Sequence, residues 1–204
     1  AAADAVKNPV GDETVQAECQ PAETFEELSA ENHFEFPAYK AADIPKLSRQ
    51  YLPRDFQGMI RAILEVEAPL SEELLLKRIV QYFSREKVTN VVQDQYNHLM
   101  YGCHNRGIVR KNGFLYLDGD TKIRFRGPGD IVRDIKQISP EELAAGMLEI
   151  LKQNVTAEKS GLYHTLAAQC GISRVGKTVN EMMESALRNL AGTVVVDGEQ
   201  ISLK

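Results

Sequence analysis

The chain has 204 residues, 43% hydrophobic and 26% charged, with a formal net charge of -5, a length that allows one large domain or two small ones. No apolar run approaches the roughly 18 residues of a membrane span, and the opening AAADAVKNPVGDE lacks the basic stretch and apolar core of a secretory leader. Cys19, Cys103 and Cys170 are odd in number and far apart, which argues against a disulfide framework or a zinc knuckle and points to a reducing cytoplasm.

The charge is unevenly spread. Residues 1–53 hold 4 Lys/Arg against 10 Asp/Glu, residues 54–136 hold 14 against 11, and residues 137–204 hold 6 against 8. Within the middle stretch, residues 74–126 carry ten bases and four acids. A local excess of that kind bears more on an anionic partner than the total does.

In chain order, residues 1–36 form an acidic, weakly structured lead-in with one short helix expected near Glu23 to Leu28. Residues 37–53, with Pro37, Pro45 and Pro53, form an extended, turning approach. From Arg54 the period is helical: Phe56, Met59, Ile60, Ile63 and Leu64 share a face, and the helix should end near Glu67, before Pro69. Ser71 caps a second helix with Leu74, Leu75, Ile79 and Tyr82 inward. A third is expected from Thr89 to His104, with Val92, Tyr96, Leu99 and Cys103 inward. After Gly107 the period changes to 2, and IVRK, Asn112-Gly113, FLYL reads as a hairpin.

The same order returns. Ser139-Pro140-Glu141-Glu142 is a capping box with proline at the first helical position. Helices are expected over 139–151, 157–169 and 177–190, the last with Val179, Met183, Ala186 and Leu190 inward. TVVV, Asp197-Gly198 and EQISL then form a second hairpin. The fold class is mainly α with small β-hairpins (α+β): tandem winged helix-turn-helix units over 54–120 and 139–204, offset by about 85 residues. A basic strand and linker, 121–138, joins them.

The stretch GISRVGKT (171–178) satisfies the phosphate-loop pattern G-x-x-x-x-G-K-[ST]. That loop needs a buried strand before it and further strand-helix units after it, whereas LYHTLAAQC reads as helix and only 26 residues follow Thr178. The stretch is therefore a turn into the third helix of unit two, with Gly171 as a helix stop. Asp120-Thr121-Lys122 ends like a nuclease motif but has no partner carboxylate on a preceding strand. Cys103 and His104 point about 100° apart on a helix. His33, His98 and His164 lack metal-ligand spacing. No catalytic constellation, cofactor or metal is expected, and the chain is read as not itself an enzyme.

In a winged helix the third helix enters the major groove and the wing reaches backbone or minor groove. Unit one turns Asn90, Asp94, Asn97, His98, Tyr101 and Asn105 outward, and asparagine can pair bidentately with adenine. Arg106, Arg110 and Lys111 flank its wing. Lys122, Arg124 and Arg126 alternate along the next strand and would share one face as a row of phosphate contacts. Unit two presents Lys177, Glu181, Glu184, Ser185 and Arg188, with Asp197-Gly198-Glu199 at its wing tip. Its carboxylates oppose phosphate, so this unit is expected to pack on unit one or on a protein partner.

PAYKAADIP, ILEVEAPLSEELLLKRI, RGIVRKNGFLYL, IRFRGP, ISPEELAAGMLEIL and CGISRVGKTVNEMMESALRNLAG together resemble a bacterial domain of unknown function found at the C-terminal end of large DNA-helicase-related proteins. The resemblance spans about residues 37 to 204, and its motifs are structural. It implies a helicase-type motor, often with a restriction-like nuclease, upstream in the same protein, and it supplies no binding residues. Two functions stand open: a DNA-docking accessory module working through unit one on duplex or branched DNA, and a protein-interaction scaffold without DNA contact.

Overall fold

The computed structural model describes residues 34–43, 56–82, 87–119 and 122–204. The short helix expected near Glu23 to Leu28, the path through Pro45 and Pro53, the pair Asp120-Thr121, Cys19, His33 and the Tyr82 side chain lie outside the described residues. Phe34–Lys204 form one compact unit.

The architecture is α+β, with two three-stranded antiparallel sheets. One half runs α1 (Phe56–Glu67), β1 (Leu70–Ser71), α2 (Glu72–Tyr82), α3 (Asn90–Leu99), β2 (Ile108–Lys111) and β3 (Phe114–Leu117). The other runs α4 (Pro140–Asn154), β4 (Thr156–Glu158), α5 (Lys159–Gln169), α6 (Lys177–Arg188), β5 (Val194–Asp197) and β6 (Gln200–Leu203). The sheets are ordered β1-β3-β2 and β4-β6-β5, so each half sets a short strand beside the returning strand of its own hairpin. Each half also closes its own apolar core. Phe56, Ile60, Ile63, Leu75, Tyr96 and Leu115 meet in the first, and Leu143, Met147, Leu166, Met183 and Ile201 in the second.

Local chemistry sets the element ends. Thr89 caps α3, its hydroxyl accepting from the Val92 N–H at 3.4 Å. This helix is shorter than the stretch to His104 that the sequence suggested, because Gly102 at φ 70 turns the chain and Cys103–Arg106 continue as a 3₁₀ turn. Ser139 caps α4 with Pro140 in its first turn, but Glu142 does not reach back to complete the box; its carboxylate is drawn into the interior instead. At the end of α5, Gly171 adopts φ 77, Ile172 N–H donates to Ala167 O, and Gly171 N–H donates to Ala168 O, each at 2.9 Å. This is a Schellman stop. The element before GISRVGKT is thus a helix, and the stretch leads straight into α6.

The hairpins share one register and differ in their turns. Lys111 pairs with Phe114 around Asn112 and Gly113, both at positive φ (51 and 78), the type I′ requirement. Asp197 pairs with Gln200, so the second turn is Gly198-Glu199, one residue later than the Asp197-Gly198 expected. Only Gly198 is left-handed there, which a turn with glycine at its first central position allows.

Between the halves, residues 122–126 form no strand, contrary to expectation. The chain is instead tied to residues 37–39: Tyr39 N–H donates to Gly127 O (3.0 Å), Gly127 N–H to Pro37 O (2.9 Å) and Asp130 N–H to Tyr39 O (3.0 Å). Gly129 is required by this approach, since a Cβ there would fall onto the Tyr39 carbonyl, with the Tyr39 nitrogen only 2.7 Å away.

This crossing holds a buried ion cluster. Glu67, at the end of α1, and Glu142, in the first turn of α4, are both fully buried. Glu67 accepts from the Tyr39 hydroxyl, from Arg78 Nη1 at 2.5 and 2.7 Å and from Ala42 N–H at 2.8 Å. Glu142 accepts from Arg126 (Nε 3.0, Nη2 2.8 Å) and from Arg133 (Nη1 2.9, Nη2 2.8 Å). Arg126 also donates to the carbonyls of Glu67 and Pro69, both at 2.9 Å, and so reaches from one half to the other. The Tyr39 ring lies under both guanidiniums, 4.9 Å from Arg126 and 4.2 Å from Arg133. Desolvating such charges is costly, and only full pairing offsets it.

Removing one charge leaves its partners buried and unpaired. Glu142→Gln is expected to lose about 3 kcal/mol and Gly129→Ala at least about 2 kcal/mol, both read from urea unfolding midpoints at constant m. Losses under about 0.5 kcal/mol would contradict this account of the joint.

Candidate functional site

The outer face of α3 is set by α1. Gln57 Nε2 donates to the carbonyls of Leu99 (2.9 Å) and Tyr101 (2.8 Å) at the end of α3, and Arg61 Nη1 donates to Arg106 O at 2.6 Å. Tyr96 is buried edge-on against Phe56. With that face inward, Asn90, Asp94, Asn97, His98, Asn105 and Arg106 are exposed, and Tyr101 is 87% exposed.

The cations expected beside α3 are divided. Arg110 donates to Glu72 at 3.1 and 2.8 Å and to Asn97 Oδ1 at 3.0 Å, while its guanidinium lies 5.5 Å from the Tyr96 ring centroid. Hydrogen bonding to Glu72 raises the Arg110 pKa above its ordinary value, and the Asn97 oxygen that would accept from adenine already has a donor. Lys111 Nζ reaches across to Glu141 of α4 at 2.9 Å, where Tyr116 Oη also donates, at 2.8 Å.

Arg126 is the main correction. Expected in a solvent-facing row with Lys122 and Arg124, it is turned inward onto Glu142, because it is the one residue of the three placed opposite a buried carboxylate. Lys122 and Arg124 are exposed. They line a groove of about 350 Å³ with Phe34, Phe36 and the α4 residues Glu149 and Gln153. None of that lining comes from α3 or the first hairpin, so the expected contact residues occupy separate surfaces.

A second groove, of about 790 Å³, runs between α2, the start of α3 and the first hairpin turn. Lys77, Lys87, Arg110 and Lys136 line it together with Glu72 and Glu73, over Leu76, Val80 and Phe114. Both carboxylates are engaged, Glu72 by Arg110 and Glu73 by Lys77 at 2.5 Å. The bond from Lys77 holds the Glu73 carboxyl below its ordinary value. Lys87 and Lys136 are exposed and have no ion-pair partner among the described residues. Lys136 was not among the expected contacts, because it sits in what reads as linker. A 3₁₀ turn capped reciprocally by Asp134 and Gln137 fixes it in place.

In the second half Val179, Met183, Ala186 and Leu190 are buried, while Lys177, Glu181 and Arg188 are exposed. Glu184 pairs with Lys159 at 2.5 Å, which lowers its carboxyl. Cys103 and Cys170 are buried thiols. Burial pushes Cys170 up to about 12 and Cys103 up as well, the reverse of what a nucleophile needs. Among the described residues no three His, Cys, Asp or Glu gather as metal ligands, and no helix is long and apolar enough to cross a membrane.

Comparison with protein-family models, with curated proteins and with solved structures finds no match.

The bridge at Glu141 carries a pH signature. Burial alone would raise this carboxyl, but the bonds from Lys111 and Tyr116 outweigh it and hold it below the ordinary 4.5. A depressed carboxyl contributes stability that is present above its unfolded-state value and lost as pH falls through the folded value. Acid unfolding of the Lys111→Ala/Tyr116→Phe double variant is accordingly expected to begin at higher pH than that of the parent. A carbon-detected NMR titration placing Glu141 at or above 4.5 in the parent would contradict the assignment.

Proposed function

We propose that each half is a winged helix and that the chain is a non-catalytic, nucleic-acid-docking module, part of the larger helicase-like protein that the family resemblance implies. The observation that carries this reading is the groove between the start of α3 and the first hairpin turn, where Lys77, Lys87, Arg110 and Lys136 gather. In a winged helix those two elements straddle the backbone of a duplex, and cations set between them contact phosphates and release condensed counterions. Both carboxylates of that groove are ion-paired, which leaves Lys87 and Lys136 as its principal phosphate ligands. Asn90 and His98, exposed on α3, carry hydrogen-bonding groups that suit base edges better than carboxylates would. The second half, with Glu181 and Glu184 on α6, serves as the support of the first and as a face toward protein.

A second reading, a protein-interaction scaffold, is favoured by the engagement of Arg110, Lys111 and Arg126 with carboxylates of this chain and by the exposure of Tyr101. Fluorescence anisotropy of labelled duplex and forked DNA across a salt series separates the two. The docking reading expects salt-sensitive binding, with the slope of log K against log salt reduced by about 0.9 for each lysine removed in Lys87→Gln/Lys136→Gln. Absence of binding at low salt, or an unchanged slope in the variant, would transfer the assignment to the scaffold.

A further inference from the structure

The groove holding Lys122 and Arg124 differs from the one under the first hairpin in that two half-buried aromatic rings line it. Phe34 and Phe36 stack with centroids 6.0 Å apart and planes 11° apart, and Phe36 stands edge-on to Phe125 at 4.7 Å. Phe125 is buried in the core of the second half, whereas Phe34 and Phe36 are half-buried and keep part of their surface at the groove. The two rings are thus anchored from behind. On the same groove Lys122 and Arg124 are exposed, with no ion-pair partner among the described residues. Of the acids there, Glu149 is paired with Lys152 at 2.7 Å, and Glu35 projects to solvent from between the two rings in the chain.

Cations and rings lining one groove match the two chemistries of an unpaired strand, which offers phosphates at one edge and flat bases at the other. A duplex keeps its bases stacked on one another and offers rings nothing to stack on.

We propose that this groove is a single-strand nucleic-acid site, with Lys122 and Arg124 on the phosphates and Phe34 and Phe36 as the stacking platform. It deepens the nucleic-acid reading above and rests on it for the class of ligand, while using different residues. A module with a duplex surface on the first half and a single-strand groove beside α4 would hold both arms of a fork at a junction.

The test is anisotropy of a labelled oligo(dT) of about a dozen nucleotides with the full chain and two variants. Phe34→Leu keeps an apolar anchor but removes a flat ring, and Lys122→Gln/Arg124→Gln removes the charge from exposed side chains. Far-UV circular dichroism and the unfolding midpoint confirm that each variant is folded. Phe34→Leu is expected to weaken binding about tenfold with the salt slope unchanged, and the charge variant to lower that slope by about 0.7 per cation. Neither should alter duplex binding. The proposal is overturned if oligo(dT) does not bind at low salt, or binds both variants as it binds the parent. It is overturned too if binding is lost only in Lys87→Gln/Lys136→Gln. An unchanged duplex slope in that last variant, with oligo(dT) binding still weakened in the other two, removes the duplex reading and leaves the groove assignment standing, so the two readings fail separately.

Discussion

Two carboxylates that never meet water, Glu67 and Glu142, fix how the rest of the molecule is arranged. Neither could be buried alone. Each ends or begins a long helix, and together they draw in Arg78, Arg126, Arg133 and the Tyr39 ring from three separate stretches of chain. Arg126 is the link, with its guanidinium on Glu142 and on the carbonyls that follow α1. Separating the halves would break the bonds from Arg126 to the Glu67 and Pro69 carbonyls, leaving a guanidinium short of acceptors. The junction behaves as core, although it is built of charge.

The same joint sets the surfaces proposed to carry function. The first hairpin is held to α4 by Lys111 and Tyr116 on Glu141, and α1 clamps the far end of α3 through Gln57 and Arg61. These ties fix the third helix and the hairpin on either side of the groove proposed to take phosphates, which would preorganise such contacts. Along the other side of the joint, residues 122–126 pass α4 in an extended path with Phe125 inward and Lys122 and Arg124 outward. One joint therefore orients two surfaces of different shape.

Much of the fold was legible in the sequence wherever the signal is local. The stripe of Phe56, Met59, Ile60 and Ile63, the cap at Ser139-Pro140, the stop at Gly171 and the Asn112-Gly113 turn all depend on neighbours within a few residues. Where two turn chemistries compete for the same letters, as at Asp197-Gly198-Glu199, the reading slipped by one residue. Long-range charge pairing was not legible. Glu67 read only as the end of a helix and Glu142 as part of a capping box, and Arg126 read as a phosphate ligand because alternation along a strand sets its face but not what lies opposite. Its carboxylate is 16 residues away and its carbonyl acceptors 59 and 57, beyond any periodicity. Lys136 was missed for the same reason: only the folded path of the linker brings it to the groove shared by Lys77 and Lys87.

The most direct test of the account asks whether the two halves, each with its own apolar core, unfold as one. Differential scanning calorimetry of the chain is predicted to give a single transition from residues 56–204 with equal van't Hoff and calorimetric enthalpies, because the ion cluster couples the cores. Two resolved transitions, with tertiary NMR signals of one half surviving the melting of the other, would contradict it and reduce the joint to a contact between independent domains.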